Sequence, residues 1–503
     1  MNTAYQSLTE RFQRLSRINH AISYLNWDQM VMMPPKGVSS RAEAIAELAG
    51  MYHETLTAPE VADLIAEAGQ DLSPDDEVGL REMRRVWRQE TCLPAELVKA
   101  KIVAGSRCEH GWRTQREADD WDGFLKNFTE VVELGREEAT LRQQHDDRFA
   151  TPYDALLDLH CTGDSKELID TVFGELRGVL PGLLVEVVEK QLRAAKRRGG
   201  DGGSGSVVYD LAEQKKLNEK LMGLLGFDFE SGRLDVSLHP FSMGGAGDLR
   251  ITTRFRDTEF LEALLATAHE TGHASYEGGL PEKWADVPVG QHRNMCIHES
   301  QSLLFEKQIF LSRSFMSYFA SEIQASFPDN RANSDQLWSM ATQVEPGFIR
   351  VEADEVTYPL HVLLRYEIES SLINGEIEAR DIPQLWNTKM KDYLGLDVGN
   401  KHSIGCMQDI HWTDGAFGYF PSYTLGAVNA SQIFKSLKSD CSDWQERFGK
   451  GDISFVRDWL QEKIWSRASF ASSQDLIKET TGSGTSAEFY IEHLKARYLE
   501  ELY

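Results

Sequence analysis

Two histidines and a glutamate lie close together in the sequence, in a pattern typical of metal-dependent hydrolysis. His269 and His273 are four residues apart in the stretch Leu261 to Gly279, and Glu270 directly follows the first of them. On an α-helix, residues four apart share a face, so both imidazoles can point at one ion. Glu270 is displaced from that face but can reach a water molecule at the ion, as in the H-E-x-x-H metallohydrolase helix.

The residues around this pattern indicate a shielded helix with a close neighbour. Leu261, Leu264, Leu265 and Ala268 form an apolar face before the second histidine. Gly272 costs about 1 kcal/mol relative to alanine inside a helix, so its presence favours a position where another segment approaches closely.

A catalytic zinc site usually takes three protein ligands, so a third donor must come from elsewhere in the chain. Residues 294–310 form a second helical segment, in which Glu299 follows His273 by 26 residues. This separation leaves room for a loop and an adjacent helix. His298 is a competing donor and Glu306 lies two turns further along, so the spacing favours Glu299 without excluding the other two.

The surrounding chain is predicted to be mainly helical. Apolar residues recur at helical spacing, and Pro181 should break or kink the third of these helices. An eight-residue Gly/Ser-rich stretch at 199–206 predicts a flexible connection between an N-terminal helical lobe and the rest. The predicted helices span 43–57, 120–145, 166–198 and 486–502.

One region breaks the helical pattern directly before the histidine helix. Residues 232–241 and 248–255 alternate or are β-branched, and residues 242–247 have the composition of a turn. A β-hairpin is therefore predicted here. Beside a metal-binding helix, its free edge could hydrogen-bond an extended peptide backbone.

Composition narrows the class of protein. The chain has 503 residues and a formal net charge of −26, which argues against nucleic acid or an anionic membrane as a partner. We find no apolar stretch of bilayer-spanning length and no secretory signal, so a cytoplasmic protein is expected. The six cysteines are scattered without C-x-x-C pairs, and we expect them to be reduced.

Six short motifs in a fixed order resemble the M32 family of zinc metallocarboxypeptidases, the carboxypeptidase Taq type. The N-terminal segment 24–48 is also similar to that family, so the resemblance spans almost the whole chain. The motifs are HPF (239–241), D-x-R-x-T (248–252), H-E-x-x-H (269–273), HESQ (298–301), I-R-x-x-A-D (349–354) and G-x-x-Q-D-x-H-W (405–412).

The resemblance implies a single domain over residues 1–503, with an N-terminal helical lobe at about 1–200 and a catalytic region at about 207–503. Its fold would be mainly α: a two-lobed helical metallopeptidase with a deep substrate groove and a small β-hairpin or sheet beside the H-E-x-x-H helix. This architecture is similar to that of the neurolysin and angiotensin-converting enzyme type peptidases. Family members are typically homodimers.

The resemblance also implies a set of roles at the metal. His269, His273 and Glu299 would bind the ion, and Glu270 would be the general base in attack by metal-activated water. Zn²⁺ suits two imidazoles and a carboxylate, although Co²⁺ or Mn²⁺ can occupy such a site. The implied activity is release of single C-terminal amino acids from peptides, with broad specificity.

The substrate-binding residues follow from the same resemblance. A carboxypeptidase must hold the free α-carboxylate of its peptide, and the planar guanidinium of Arg350 can do so with two hydrogen bonds. Arg250 is the second choice and suits the far end of a substrate, where the D-x-R-x-T motif of the family is thought to limit peptide length. His239 is expected either to line the groove or to cap the hairpin.

A group beyond the metal should stabilise the oxyanion that forms during attack. By analogy with the related peptidases, His411 and Tyr423 are favoured for this role. The residues alone leave two other functions open: an oligopeptidase that cuts internally or releases dipeptides, and a peptide-binding protein whose metal is structural or absent. The carboxylate anchor and the base Glu270 distinguish the carboxypeptidase from both.

Overall fold

The computed structural model describes residues 2–197 and 207–501 of the chain. The predicted flexible connection at 199–206 lies outside the described residues. Within them the protein is built from α-helices and one three-stranded sheet, so the prediction of a mainly α fold is confirmed. No described helix combines the length and the apolar character that crossing a lipid bilayer requires.

Nine α-helices precede the sheet in the described part of the chain. Their starts follow from local sequence: the side chain of Asn2 caps α1, and Thr151 and Asp154 form a capping box at α7. Prolines occupy the first helical position of α3, α4 and α7, where their missing N–H costs nothing. The helices are α1 Thr3–Val31, α2 Val38–Thr57, α3 Pro59–Glu67, α4 Pro74–Thr91, α5 Ala95–Glu117, α6 Trp121–Gln144, α7 Pro152–His160, α8 Lys166–Arg197 and α9 Leu211–Leu224.

Three strands and eleven further α-helices follow in the described chain, with short 3-10 helices between some of them. A π-helical stretch, Leu304–Phe310, directly follows α11, and another, Ala496–Glu501, follows α20. The elements are β1 Gly232–Val236, β2 Phe241–Gly245, β3 Asp248–Thr253, α10 Leu261–Gly279, α11 Met295–Leu303, α12 Arg313–Ser326, α13 Ser334–Ala341, α14 Tyr358–Ile373, α15 Ile382–Leu394, α16 Pro421–Asp440, α17 Trp444–Phe448, α18 Ser454–Lys463, α19 Ser473–Thr481 and α20 Ala487–Lys495.

The four helices predicted from periodicity are present as α2, α6, α8 and α20, and the segment after His273 is helical as α11. α8 continues through Pro181 without ending, so the helix is not broken there. The proposed boundary near residue 200 between two lobes stays a prediction.

The sheet differs from the predicted hairpin. Its strand order is β1-β3-β2, and the two segments predicted to pair as a hairpin, β1 and β3, are parallel. The intervening stretch, predicted to be a turn, contains β2, which pairs antiparallel with β3. Glycines caused the error: Gly244 has φ 107° and lies within the strand, where an added Cβ would be 2.0 Å from the carbonyl oxygen of Asp248.

Three groups of buried apolar residues hold these elements together. The largest joins α5–α8 to the helices from α10 to α20. A second lies among α1, α3 and α4 and is completed by Val287 and Val289, from the segment between α10 and α11. The third packs the sheet against α9 and against Ala274 of α10, which fixes the sheet beside the histidine helix.

Candidate metal centre

Helix α10 presents both histidines on one side, as their spacing predicts. The ring centroids of His269 and His273 are 4.9 Å apart and the rings are nearly perpendicular. The apolar face predicted before them is largely buried, with Leu261, Leu264 and Ala268 in the core. The imidazoles are therefore held at the edge of a packed helix and have little contact with solvent.

Two glycines allow the neighbouring helices to approach. A Cβ on Gly272 would lie 2.5 Å from the carbonyl oxygen of Gln301 and 2.6 Å from Cα of Ser302, both on α11. On the other side of α11, a Cβ on Gly426 of α16 would lie 2.5 Å from Cγ of Glu299. The close approach predicted from Gly272 is thus confirmed, and it brings α11 against α10.

This approach brings Glu299 to the two histidines. Its Oε2 atom lies 3.3 Å from Nε2 of His273 and 3.8 Å from Nε2 of His269. The three residues offer donor atoms that all lie within 4.8 Å of one another. Two imidazole nitrogens and one carboxylate, with a position left for water, fit a catalytic divalent metal.

His269 is oriented by a carboxylate. Its Nδ1 is 2.9 Å from Oε2 of Glu306, which follows α11 in the π-helical stretch. Burial alone would raise the pKa of Glu306, but Lys307, 2.6 Å away, and His269 lower it to about 2. The ionised carboxylate accepts the Nδ1 proton, so Nε2 is the ring nitrogen that faces the donor cluster.

His273 is oriented through a second histidine. Its Nδ1 lies 2.6 Å from Nδ1 of His298, whose Nε2 lies 2.8 Å from Oε1 of Glu277. Burial lowers the pKa of His298 to about 4, so this ring is neutral near pH 7. Burial would raise the pKa of Glu277, but His292 and His298 hold it well below its usual range.

The positions of the protons follow from these contacts. Glu277 is ionised and can only accept, so the single proton of neutral His298 lies on Nε2. Nδ1 of His298 then accepts the Nδ1 proton of His273, and Nε2 of His273 is left to face Glu299. His298 and Glu306, the two alternatives to Glu299 in the sequence, therefore support the histidines from outside the three-donor cluster.

Glu270 is buried next to the cluster, with 7% of its surface exposed. Burial raises the pKa of its carboxyl to about 7, and this rise is partly opposed by His269 and by a hydrogen bond with Ser242 of β2. The carboxyl therefore faces the sheet. Glu270 directly follows His269 on α10, so its side chain is displaced from the face that the two histidines share.

Arg350 lines a cavity of about 400 Å³, together with His269, Glu299 and Tyr423. Its Nε and Nη2 donate to Oδ1 of Asp409 at 3.0 and 2.8 Å, and its Nη1 donates to the hydroxyl of Tyr358 at 2.6 Å. A guanidinium carries five N–H groups, so two have no partner among the described residues.

The residues proposed for oxyanion stabilisation cluster near this arginine. The ring of Tyr423 lies 5.5 Å from the guanidinium carbon of Arg350, and the His411 ring lies 6.5 Å from the Tyr423 ring. Burial and the nearby arginine lower the pKa of His411 to about 4. Its Nδ1 is buried and has no hydrogen-bond partner within the described chain. Glu270 and His411 do not line the 400 Å³ cavity.

The remaining predicted residues lie apart from this cavity. Arg250 donates to both carboxylate oxygens of Asp248 at 2.9 Å, and its guanidinium carbon lies 4.6 Å from the ring of Tyr24 and 4.4 Å from that of Trp27, both on α1. His239 is exposed, and only its neighbour Pro240 lines the cavity. The structure therefore does not bring Arg250 or His239 to the metal centre.

Sequence reasoning gave no role to the side chains that hold Arg350. Asp409 lies within the quoted G-x-x-Q-D-x-H-W motif and also accepts from Nε of Arg365 at 2.6 Å. Because Arg350 and Arg365 share the single carboxylate of Asp409, this group of three side chains keeps a net positive charge. Tyr358 has no local sequence signal, since its contact with Arg350 depends on how α14 packs.

The sequence matches one known protein family over nearly the whole chain. A family model described as carboxypeptidase Taq (M32) metallopeptidase matches residues 7–498. Thermostable carboxypeptidase 1 of Thermus thermophilus is 35% identical over 98% of both chains, and carboxypeptidase 1 of Bacillus subtilis is 32% identical over 97% of both.

Solved structures of carboxypeptidases have the same fold as this chain. Metallocarboxypeptidase 1 of Trypanosoma cruzi is 40% identical, with a TM-score of 0.95 over 99% of this chain and 100% of that one. A carboxypeptidase of Pyrococcus furiosus is 31% identical, with a TM-score of 0.92 over 99% of both chains.

Proposed function

Because this chain belongs to the carboxypeptidase Taq (M32) family and is therefore a metallocarboxypeptidase, we propose that it removes single amino acids from the C-terminus of peptides, with broad tolerance of the side chain released. The observation that carries the proposal is the cavity that Arg350 shares with His269 and Glu299. A free carboxylate bound by Arg350 and a metal bound by His269 and Glu299 would therefore share one cavity.

The proposed metal ligands are His269, His273 and Glu299. Zn²⁺ is our choice of ion because two imidazoles and one carboxylate form a typical catalytic zinc site, and Co²⁺ and Mn²⁺ are the alternatives. When bound, the ion supplies Lewis acidity toward the scissile carbonyl and lowers the pKa of water. Glu306 and the pair His298–Glu277 hold the two imidazoles with Nε2 turned toward the ion.

Glu270 is the proposed general base. It takes a proton from the attacking water and passes it to the nitrogen of the departing amino acid, so the carboxylate is regenerated. Burial among protein dipoles keeps bulk water from competing for this proton. The hydroxyl of Ser242 restricts the carboxyl to the side of α10 that faces the sheet.

His411 and Tyr423 are proposed to stabilise the oxygen that gains negative charge during attack. Burial raises the pKa of the Tyr423 hydroxyl well above its ordinary value, so the hydroxyl stays protonated and can donate. The neutral ring of His411 also carries one N–H donor. A donor aimed at the developing charge contributes about 3–4 kcal/mol to the transition state.

Arg350 is the proposed anchor for the α-carboxylate of the substrate. Asp409 and Tyr358 fix its plane and leave two N–H groups, which is the number needed to bind a carboxylate with two hydrogen bonds. The cavity lining includes the apolar side chains of Leu303, Val351 and Ala427, which have no polar group to select one released side chain, and this supports broad tolerance. Arg250 is proposed to contact only the far end of longer peptides.

The test is digestion of one unstructured peptide in two forms, with a free C-terminal acid and with a C-terminal amide. We expect the free acid to yield a mass-spectrometric ladder of single-residue losses and the amide to be cut far more slowly. Equal rates on both forms, or release of internal fragments, would favour an oligopeptidase instead. Metal analysis of the purified protein identifies the ion.

Two further expectations concern the assembly and location of the protein. We propose a homodimer in the cytoplasm that acts on peptides with a free C-terminus and binds neither nucleic acid nor membrane. Sedimentation analysis tests the oligomeric state. A monomer at micromolar concentration would contradict this part of the proposal and leave the peptidase activity untouched.

A further inference from the structure

A second cluster of metal-binding side chains lies directly beside the first. Glu277, His292 and His298 offer donor atoms that all lie within 4.8 Å of one another. Oε1 of Glu277 is 2.8 Å from Nδ1 of His292 and 2.8 Å from Nε2 of His298. The proposed reaction uses His298 and Glu277 to orient His273, but it gives no task to His292.

We propose that Glu277, His292 and His298 form a second, weaker site for a divalent metal, and that an ion bound there antagonises the catalytic site.

The donor set favours a borderline ion such as Zn²⁺. It repeats the two imidazoles and one carboxylate of the first site. The side chains of His292, Glu277 and His298 are 34%, 19% and 11% exposed, so an ion can enter from solvent and water can complete its coordination. Tetrahedral zinc needs donors roughly 3.4 Å apart, so Glu277 must retreat only slightly from its hydrogen bonds.

Binding at this site changes the proton that His298 carries. An ion held by Nε2 of His298 takes the lone pair of that nitrogen, and the proton that Nε2 donates to Glu277 must leave it. A neutral imidazole keeps one N–H, which is then on Nδ1. That atom is only 2.6 Å from Nδ1 of His273.

The two sites are therefore in conflict. With the second site occupied, the Nδ1 proton of His298 would face the Nδ1 proton of His273 across a distance that holds only one hydrogen. His273 must turn away or give up its proton, and either change disturbs the Nε2 atom that faces Glu299. We expect the catalytic ion to be bound more weakly or held in an inactive geometry.

Zinc stoichiometry is the first test. The metal-free full-length protein is titrated with Zn²⁺ and examined by calorimetry and native mass spectrometry. We expect two ions per chain in the parent protein and one in His292→Gln, because glutamine can still donate to Glu277 but is a poor zinc ligand. His53→Gln, at an exposed histidine, is the control and should keep both ions. One ion in the parent, or two in His292→Gln, would overturn the proposal.

Inhibition by excess zinc is the second test, and it rests on the proposed peptidase activity. In the parent and in His53→Gln, activity should rise with the first equivalent of Zn²⁺ and fall as free Zn²⁺ increases. In His292→Gln, the first phase should be unchanged, and the inhibitory midpoint should shift upward by at least about tenfold. The same midpoint in all three proteins would place inhibition at another site. If the proposed activity failed, the stoichiometry would still decide whether the second site exists.

Discussion

The helix pair α10 and α11 and the N-terminal helices α1–α4 differ in how tightly their residues are surrounded. Eleven of the 19 residues of α10 and seven of the nine of α11 are buried, whereas α2 buries one residue of 20. The buried part of the pair includes polar groups, among them Glu270, His273, His298 and Glu299.

This difference in burial shows which region can hold metal-binding side chains in fixed positions. In the helix pair, burial and hydrogen bonds fix the position of each donor, so a ligand atom is held at the cost of tolerance to substitution. The N-terminal helices have their own apolar core and an exposed outer surface. Substitutions on that exposed surface should leave the metal centre in place, and four predictions test this contrast.

The largest effect is expected at Glu270 on the buried helix. Glu270→Gln should lower kcat by about 10²- to 10⁴-fold, because the base is lost. Metal content, measured by elemental analysis, should stay near that of the parent. Glu262→Gln, on the exposed side of the same helix, is the control and should retain activity. Substantial hydrolysis by Glu270→Gln would require a different base.

The second prediction compares two arginines. Arg350→Ala should lower kcat/KM on free-acid peptides by about 10²- to 10³-fold, because a buried charged hydrogen bond contributes a few kcal/mol. The rate ratio between free-acid and amidated peptides should fall toward one. Arg250→Ala, which removes an arginine stacked on the N-terminal helix, should change cleavage of short peptides by less than about threefold. Equal losses in both variants would contradict the assigned anchor.

Two glycine-to-alanine changes should have opposite signs. Gly272→Ala places a methyl group against the backbone of α11 and should destabilise the protein by about 1–3 kcal/mol and reduce metal content. Gly50→Ala, in α2, meets no atom within 4 Å and should stabilise by about 0.5–1 kcal/mol through helix propensity. Urea unfolding measures both. Stabilisation by Gly272→Ala would show that α11 does not lie where we describe it.

The smallest expected effect is a pH dependence of stability at the contact between α4 and the segment that precedes α11. Burial would raise the pKa of Glu82 on α4, but Arg293 and Arg85 lower it below the ordinary 4.5. A carboxyl with a depressed folded-state pKa contributes stability that is full above the unfolded pKa and is lost as the pH falls through the folded pKa. The stability difference between the parent and Glu82→Gln should therefore be full at pH 7 and shrink below about pH 4.5.

Urea midpoints at pH 7 and pH 3.5 measure this change. Glu77→Gln, at an exposed position of the same helix, should show little difference from the parent at either pH. A gap between parent and Glu82→Gln that stayed constant over this range would mean that the carboxylate charge is not what joins α4 to Arg293.

The sequence predicted features that depend on local spacing. Residues four apart on a helix place His269 and His273 together in any fold that keeps the helix, and Gly272 indicated that another segment approaches closely, without identifying it. The choice of Glu299 over its alternatives needed the family resemblance, because three candidate donors lie on one short segment. Their different contacts arise from the alignment of α11 against α10, which no local pattern encodes.

Long-range pairings and strand order were beyond sequence reasoning. Gly244 has the residue type of a turn but lies in β2, where the carbonyl of Asp248 excludes a side chain. Of the partners of Arg350, Tyr358 lies 8 residues away and Asp409 lies 59 residues away in the chain. Arg250 and His239 do not line the cavity that Arg350 lines, and their contacts with substrate stay predictions.

The segment between α10 and α11 connects the N-terminal helices to the metal centre. Val287 and Val289 complete the apolar core of the N-terminal helices, and Arg293 is bound to Glu82 on α4. A few residues later the same segment becomes the helix that carries His298 and Glu299. A displacement of the N-terminal helices would therefore be transmitted through this segment to the start of α11, the helix that supplies Glu299.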